Sequence, residues 1–115
     1  MMVIHRNEMS RERKEKMRGG EGVASLTHLV NCEGERNIRM LAEITLPPGA
    51  SIGKHSHETE TEYFIILSGS GVVNDNGADA PVKQGDAVCT GNGAFHSITN
   101  TGSDPLVFYG IVVTY

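Results

Sequence analysis

Apolar and polar residues alternate along most of this chain from residue 23 onward, which is the pattern of short β-strands. Residues 37–46 show it most clearly, because every second side chain is apolar: Ile38, Met40, Ala42, Ile44 and Leu46. Residues 62–67 are apolar on both faces, which predicts a central strand. Further strands are predicted over residues 23–30, 71–82, 86–90, 96–100 and 106–113.

Turn signals separate these strands and limit the possible architectures. Pro47-Pro48-Gly49 ends the strand over residues 37–46 as a turn. Asn76-Gly77 lies inside residues 71–82 and is the strongest short hairpin signal in the chain. Many short strands joined by tight turns predict an all-β fold, a small antiparallel β-sandwich or β-barrel.

The first 22 residues have a different character from the rest. Residues 1–18 hold six basic and three acidic side chains and show no strand-like alternation. Ser10 precedes the charged run over residues 11–16, an arrangement that predicts the N-cap of a short helix, and residues 19–22 (Gly-Gly-Glu-Gly) would end it. We therefore predict a charged N-terminal arm over residues 1–22 and a β-barrel domain over residues 23–115.

Composition restricts the class of protein. The 115 residues are enough for one domain, and two cysteines are too few for a disulfide framework. No apolar run approaches a membrane span, and no apolar signal core precedes residue 23, so we predict a cytoplasmic protein without membrane contact. Residues 19–115 hold four basic and eleven acidic side chains, which argues against a nucleic-acid partner. The basic arm permits such a partner, but a solvated arm is the simpler interpretation.

Three histidines and one glutamate have the spacing of a metal site. His55 and His57 are two residues apart, so on a strand both imidazoles face the same side. Glu62 opens an apolar strand, where an inward carboxylate needs a cation; Glu58 and Glu60 are rival carboxylates. His96 opens a later strand and would reach the same point from across the barrel. Three imidazoles and one carboxylate suit a divalent transition metal and leave room for a further ligand.

Two segments resemble the paired motifs of the cupin superfamily. The first reads Gly49-x5-His55-x-His57-x4-Glu62-x6-Gly69, and the second reads Gly85-x5-Gly91-x-Gly93-x2-His96-x3-Asn100. Gly91 stands at a position where the second motif has proline, a change that removes no ligand. The resemblance covers residues 40–113.

The resemblance implies a jelly-roll barrel, also called a double-stranded β-helix, with one metal ion on His55, His57, Glu62 and His96. It also implies a homodimer of single-domain chains. The resemblance does not choose the ion; we expect one divalent transition metal, Mn or Fe first, with Zn, Ni, Co and Cu as further possibilities. Small bacterial proteins described as oxalate decarboxylase-like look similar to this short form, which implies a small carboxylate as ligand. Ile52, however, stands where two-domain oxalate decarboxylases carry an arginine three residues before the first histidine ligand.

Three functions follow from these residues and from the resemblance. The first is a metalloenzyme, such as a decarboxylase, dioxygenase or isomerase, that acts on a small carboxylate or another oxygen-rich metabolite. The second is a non-catalytic module that binds or senses a small ligand, and the third is a structural domain with an incidental metal. Arg18, Lys54 and Tyr63 are candidates to assist the metal, but the sequence assigns no catalytic residue.

The glycine-rich segment over residues 19–22 also bears on assembly. A flexible hinge there would let the strand over residues 23–30 add to the sheet of a second chain, and such exchange favours a dimer. We therefore predict a homodimer in which residues 17–30 contact the partner. The alternative is an arm that folds back on its own barrel.

Overall fold

A computed structural model describes residues 2–115, and these residues form ten β-strands with two single-turn 3-10 helices. The 3-10 turns are Arg6–Glu8 and Met17–Gly19. In chain order the strands are β1 (Ser10–Glu15), β2 (Val23–His28), β3 (Ile38–Leu46), β4 (Ser51–Ser56), β5 (Glu60–Ser68), β6 (Ser70–Asp75), β7 (Ala78–Lys83), β8 (Ala87–Thr90), β9 (Phe95–Thr99) and β10 (Leu106–Thr114). Within this part of the chain, no helix has the length and apolar character to cross a membrane.

The strands form two antiparallel sheets, which confirms the predicted all-β jelly-roll barrel. One sheet has six strands in the order β1-β2-β3-β10-β5-β8, and the other has four in the order β4-β9-β6-β7. Apolar side chains from both sheets meet in one core, with Ile44, Phe64 and Phe108 from the first sheet and Ile52 and Ile98 from the second. The two sheets therefore enclose the space into which inward-facing polar side chains must also fit.

The strongest strand predictions are confirmed. On β3, Ala42, Ile44 and Leu46 are buried while Arg39 on the opposite face is exposed, as a period of two requires. Strand β5 lies between β10 and β8, which makes it the predicted central strand. The Asn76-Gly77 turn joins β6 to β7 with positive φ angles of 51° and 97°, the geometry of a tight hairpin.

The helix predicted after Ser10 is wrong, because residues 10–15 form strand β1 and pair along their whole length with β2. All six side chains of β1 are exposed, so the segment has no apolar face that could hold a helix against the barrel. The neighbouring strand instead supplies hydrogen-bond partners for its backbone. His28 on β2 adds a contact of 2.8 Å between its Nε2 and Glu12 Oε1.

The first hairpin joins the sheet of its own chain. Strand β2 pairs with β1 on one side and with β3 on the other, with Ser25 opposite Thr45. In this single chain the arm thus folds back on its own barrel, the alternative to strand exchange. The division at residue 22 falls between the paired strands β1 and β2 and stays a prediction, as does the homodimer.

Asn100 ties the loop between β9 and β10 to the end of β3. Its buried side chain donates from Nδ2 to the carbonyl oxygens of Leu46 and Asp104, at 2.8 Å each, and its Oδ1 accepts from the Gly102 amide at 2.9 Å. We expect Asn100→Ala to lower the free energy of unfolding by about 2–3 kcal/mol, because buried groups lose their partners. Urea denaturation measures this. The half-buried Asn74→Ala should cost less, about 1 kcal/mol, and equal losses would contradict the assignment.

Candidate metal centre

Four side chains from both sheets converge at one end of the barrel. His55 is on β4, His57 follows that strand directly, Glu62 is on β5 and His96 is on β9. The backbone register sets His55 opposite His96 across the β4–β9 pair. The structure thus brings all four residues predicted from the sequence into one group that could hold a metal ion.

The potential ligand atoms are spaced like neighbours around one ion. His96 Nε2 lies 2.9 Å from His55 Nε2, 3.1 Å from His57 Nε2 and 3.0 Å from Glu62 Oε1. Glu62 Oε1 lies 3.0 Å from His57 Nε2 and 3.5 Å from His55 Nε2. Ligands at right angles and about 2.1 Å from an ion are themselves about 3.0 Å apart. The separations therefore fit the coordination shell of one small cation.

The hydrogen bonds at Nδ1 of His55 and His57 determine whether the Nε2 atom of each ring carries a proton or a lone pair. His55 Nδ1 lies 2.8 Å from the Gly53 carbonyl oxygen, and His57 Nδ1 lies 2.8 Å from Glu60 Oε1. Both partners are acceptors, which assigns the single proton of each neutral imidazole to Nδ1. The two Nε2 atoms then direct lone pairs toward the other ligand atoms, an arrangement that a bound cation stabilises. This donor set of imidazole and carboxylate fits a divalent transition metal.

The surroundings favour the metal-binding protonation states of His96 and Glu62 and oppose that of His57. Burial lowers the pKa of His96, whose ring also stacks on Phe64 with centroids 4.8 Å apart, so this imidazole stays neutral. Burial would raise the pKa of Glu62, but in the absence of metal the hydrogen bonds that the three histidine rings donate when their Nε2 atoms carry a proton outweigh burial and hold that pKa below its usual value. Hydrogen bonds to Glu62 and Glu60 raise the pKa of His57. One anionic and at least one neutral ligand are thus preset by the fold.

Glu60 has a supporting role that the sequence analysis missed. Its carboxylate accepts hydrogen bonds from Arg39 Nε at 2.8 Å and Nη2 at 2.7 Å, and from His57 Nδ1 at 2.8 Å. Arg39 is the main reason that the pKa of Glu60 falls to about 2. Glu60 therefore orients His57 from behind rather than joining the four-residue group. Strand parity could have indicated this role, since Glu60 and Glu62 are two residues apart on one strand and therefore face the same side.

We expect Glu60→Gln to weaken metal binding by about 10- to 100-fold, the usual effect of losing a partner that orients a histidine ligand. A neutral amide holds Arg39 and the His57 ring less firmly than a carboxylate does. Competition with a chromophoric chelator measures the affinity. Glu58→Gln is the matched control, because Glu58 is exposed and outside the group. Equal affinity in the Glu60 and Glu58 variants would contradict the supporting role.

A cavity of about 430 Å³ opens onto the group. Its apolar wall includes Ile52, so the position compared with the decarboxylase arginine contributes no charge. Of the three residues suggested as helpers, Arg18 lines this cavity. Lys54 instead lies over the Phe95 ring, 4.0 Å from its centroid, and Tyr63 is on the outer face of β5 with 38% of its surface exposed.

Known proteins share both the sequence pattern and the architecture. An oxalate-binding protein from Thermotoga maritima is 44% identical over 113 residues, covering 97% of this chain and 93% of its own. A crystal structure of a predicted oxalate decarboxylase from Thermotoga maritima matches with a TM-score of 0.93 at 43% identity, covering 99% of this chain and 100% of that chain. A polyketide cyclase from Streptomyces resistomycificus shares the fold alone, with a TM-score of 0.76 at 19% identity over 98% of this chain and 79% of that chain.

The family comparison agrees with the two motifs. Residues 42–114 match the family described as Cupin domain. This range includes both histidine-containing segments and most of the strands that enclose the cavity. The chain belongs to the cupin family.

Proposed function

We propose that this chain holds one divalent transition metal ion on His55, His57, Glu62 and His96, and that it binds a small carboxylate there. The observation that carries the proposal is the convergence of three imidazole nitrogens and one carboxylate oxygen at a cavity. The 44% identical relative, which bears the name oxalate-binding protein, supports oxalate as the first ligand to test.

The cavity favours a small anion. Its volume of about 430 Å³ is near the lower end for ligand sites, which span about 300–1,000 Å³. Four cationic and two acidic side chains line it, although the chain as a whole has a net charge of -4. Apolar walls such as Ile52 and Phe64 lower the local dielectric constant and so strengthen attraction between a carboxylate and nearby positive charge.

The ion supplies a Lewis acid that binds a carboxylate oxygen when it is present. Mn or Fe is the first choice, and Zn, Ni, Co and Cu suit the same mixture of imidazole and carboxylate donors. The chain's own residues orient the ligands: Gly53 and Glu60 hold the rings of His55 and His57 through their outer nitrogens. Phe64 holds the ring of His96 by stacking.

We propose a binding protein as the first candidate and an enzyme as the second, because the cavity offers few groups that could exchange a proton with the ligand. Glu62 belongs to the proposed metal ligands, and Glu15 is the other carboxylate among the lining residues. Glu15 nevertheless keeps a metalloenzyme as the second candidate, since a carboxylate at the rim could transfer a proton during decarboxylation, dioxygenation or isomerisation of a bound acid.

Isothermal titration calorimetry with oxalate tests the proposal on metal-free protein and on protein loaded with Mn²⁺. We expect saturable binding to the loaded form and none to the metal-free form. His57→Ala should behave like metal-free protein, while His28→Ala, which changes a histidine outside the group, should behave like the wild type. Absence of binding to the loaded wild type would overturn the proposal. Loss of oxalate with time in the same mixture would favour the enzyme.

Assembly and location form a further part of the proposal. Strands β1 and β8 are the edges of the six-stranded sheet, and sheet edges favour pairing with a second copy. We expect light scattering to give twice the 12.4 kDa chain mass, and a single-chain mass would contradict the homodimer.

The free thiols of Cys32 and Cys89 favour a reducing compartment such as the cytoplasm.

A further inference from the structure

The turn after β1 forms part of the wall of the metal cavity. Lys16, Met17 and Arg18 all line it together with His55 and Glu62. The cationic side chains of the lining differ in what else they contact. Arg39 is engaged by both oxygens of Glu60, whereas within residues 2–115 no carboxylate lies in ion-pair distance of Lys16 or Arg18. These two charges are therefore available to a ligand.

The backbone of this turn is held in an uncommon conformation. Lys16 (φ 48°) and Arg18 (φ 55°) both lie in the left-handed region, which residues other than glycine rarely adopt. Hydrogen bonds hold the turn, from the Lys16 amide to the Gly22 carbonyl at 2.8 Å and from the Gly19 amide to the Lys16 carbonyl at 2.9 Å. Strained backbone that the surroundings maintain is typical of ligand clamps.

Strand β4 connects this turn to the proposed metal ligands. The Ser51 amide donates to the Glu21 carbonyl at 2.9 Å, and the Glu21 amide donates to Ser51 Oγ at 2.8 Å. Next to this contact, a Cβ at Gly53 would collide with the Arg18 carbonyl oxygen. The carbonyl of the same Gly53 accepts the hydrogen bond from His55 Nδ1 at 2.8 Å. One glycine thus fixes the backbone of Arg18 and the ring of His55 relative to each other.

We propose that the turn Met17–Gly19 selects the ligand, with Arg18 binding the outer carboxylate of a small dicarboxylate whose inner carboxylate lies at the proposed metal site. This inference rests on the proposed function and narrows it from carboxylates to dianions. The guanidinium group offers paired donors in a planar arrangement that matches a carboxylate. Arg18 supplies from the N-terminal arm the cation that Ile52 does not supply from β4.

Calorimetry on full-length, Mn²⁺-loaded protein tests this with oxalate and oxamate, which have nearly the same shape but differ by one negative charge. For the wild type we expect oxalate to bind at least about 10-fold more tightly than oxamate, because a charged hydrogen bond is lost with the amide. Arg18→Met should weaken oxalate binding by about 10- to 100-fold and leave oxamate binding within about 3-fold. Arg18→Lys should recover part of the loss, since it restores charge but not paired donors.

The matched control is Arg11→Met, which removes an exposed arginine of the same arm that does not line the cavity. It should bind both ligands like the wild type, and metal content should be equal in all variants. Unchanged oxalate affinity in Arg18→Met, or an equal loss for both ligands, would overturn the role of Arg18 while the proposed function stands. Equal wild-type affinity for oxalate and oxamate would overturn it even if the variants fail to fold. If loaded wild type binds neither ligand, the proposed function itself fails.

Discussion

Replacing His96 with alanine is expected to lower metal affinity by more than about 100-fold, because loss of a direct ligand should exceed the 10- to 100-fold effect of losing an outer partner. His96 is fully buried, and its Nε2 is within 3.1 Å of a ligand atom from each of His55, His57 and Glu62. Removing it therefore opens the centre of the group. Inductively coupled plasma mass spectrometry after dialysis against a weak chelator measures the retained metal.

The size of the loss should depend on which ligand is changed. Glu62→Gln should retain more metal than His96→Ala, since an amide oxygen can still coordinate where a methyl group cannot. His28→Ala is the control for loss of a histidine outside the group, and it should keep wild-type metal content. Full occupancy in the double variant His55→Ala/His57→Ala would show that the metal binds elsewhere.

Acidification is expected to release the metal and to remove the thermal stability that the metal provides. Imidazoles coordinate only when neutral, with an ordinary pKa of about 6.5. The metal-free pKa of His57 is raised, so protons compete at this ligand from above that pH. The lowered pKa of Glu62 keeps its carboxylate anionic throughout, so this ligand contributes nothing to the change above pH 5.

The metal-free form should respond to acid less than the loaded form does, because His57 and His96 contribute to its stability with opposite signs. A raised pKa of His57 in the folded metal-free protein means that its protonation stabilises the fold below the unfolded value, and that this stability is lost as pH rises through the raised pKa. The loaded form instead gains stability from bound metal at high pH and loses it on acidification. The difference between the two unfolding temperatures, measured by calorimetry from about pH 8 to pH 5, should therefore shrink. A constant difference down to about pH 4, the usual glutamate range, would contradict this.

The sequence by itself determined the parts of this protein that depend on local pattern. Alternating apolar residues identified the buried face of β3, and Asn76-Gly77 identified the β6–β7 hairpin, since both depend only on the period of a strand and on positive φ angles. The spacing of His55, His57, Glu62 and His96 identified the residues that the structure groups. Strand parity and the cupin motifs were sufficient because each of the four residues lies on a strand or directly after one.

Only the tertiary structure decided how the arm and the outer residues act. Ser10–Glu15 became a strand because β2 lay beside it, and an exposed charged run gives no local sign of such a neighbour. Glu60 has a different role from Glu62 because its carboxylate binds Arg39, a residue on another strand and 21 positions away in sequence. Arg18 reached the cavity because the arm crosses β4 at Gly53. Each outcome depends on a contact between segments distant in sequence, and periodicity within one segment carries no information about such contacts.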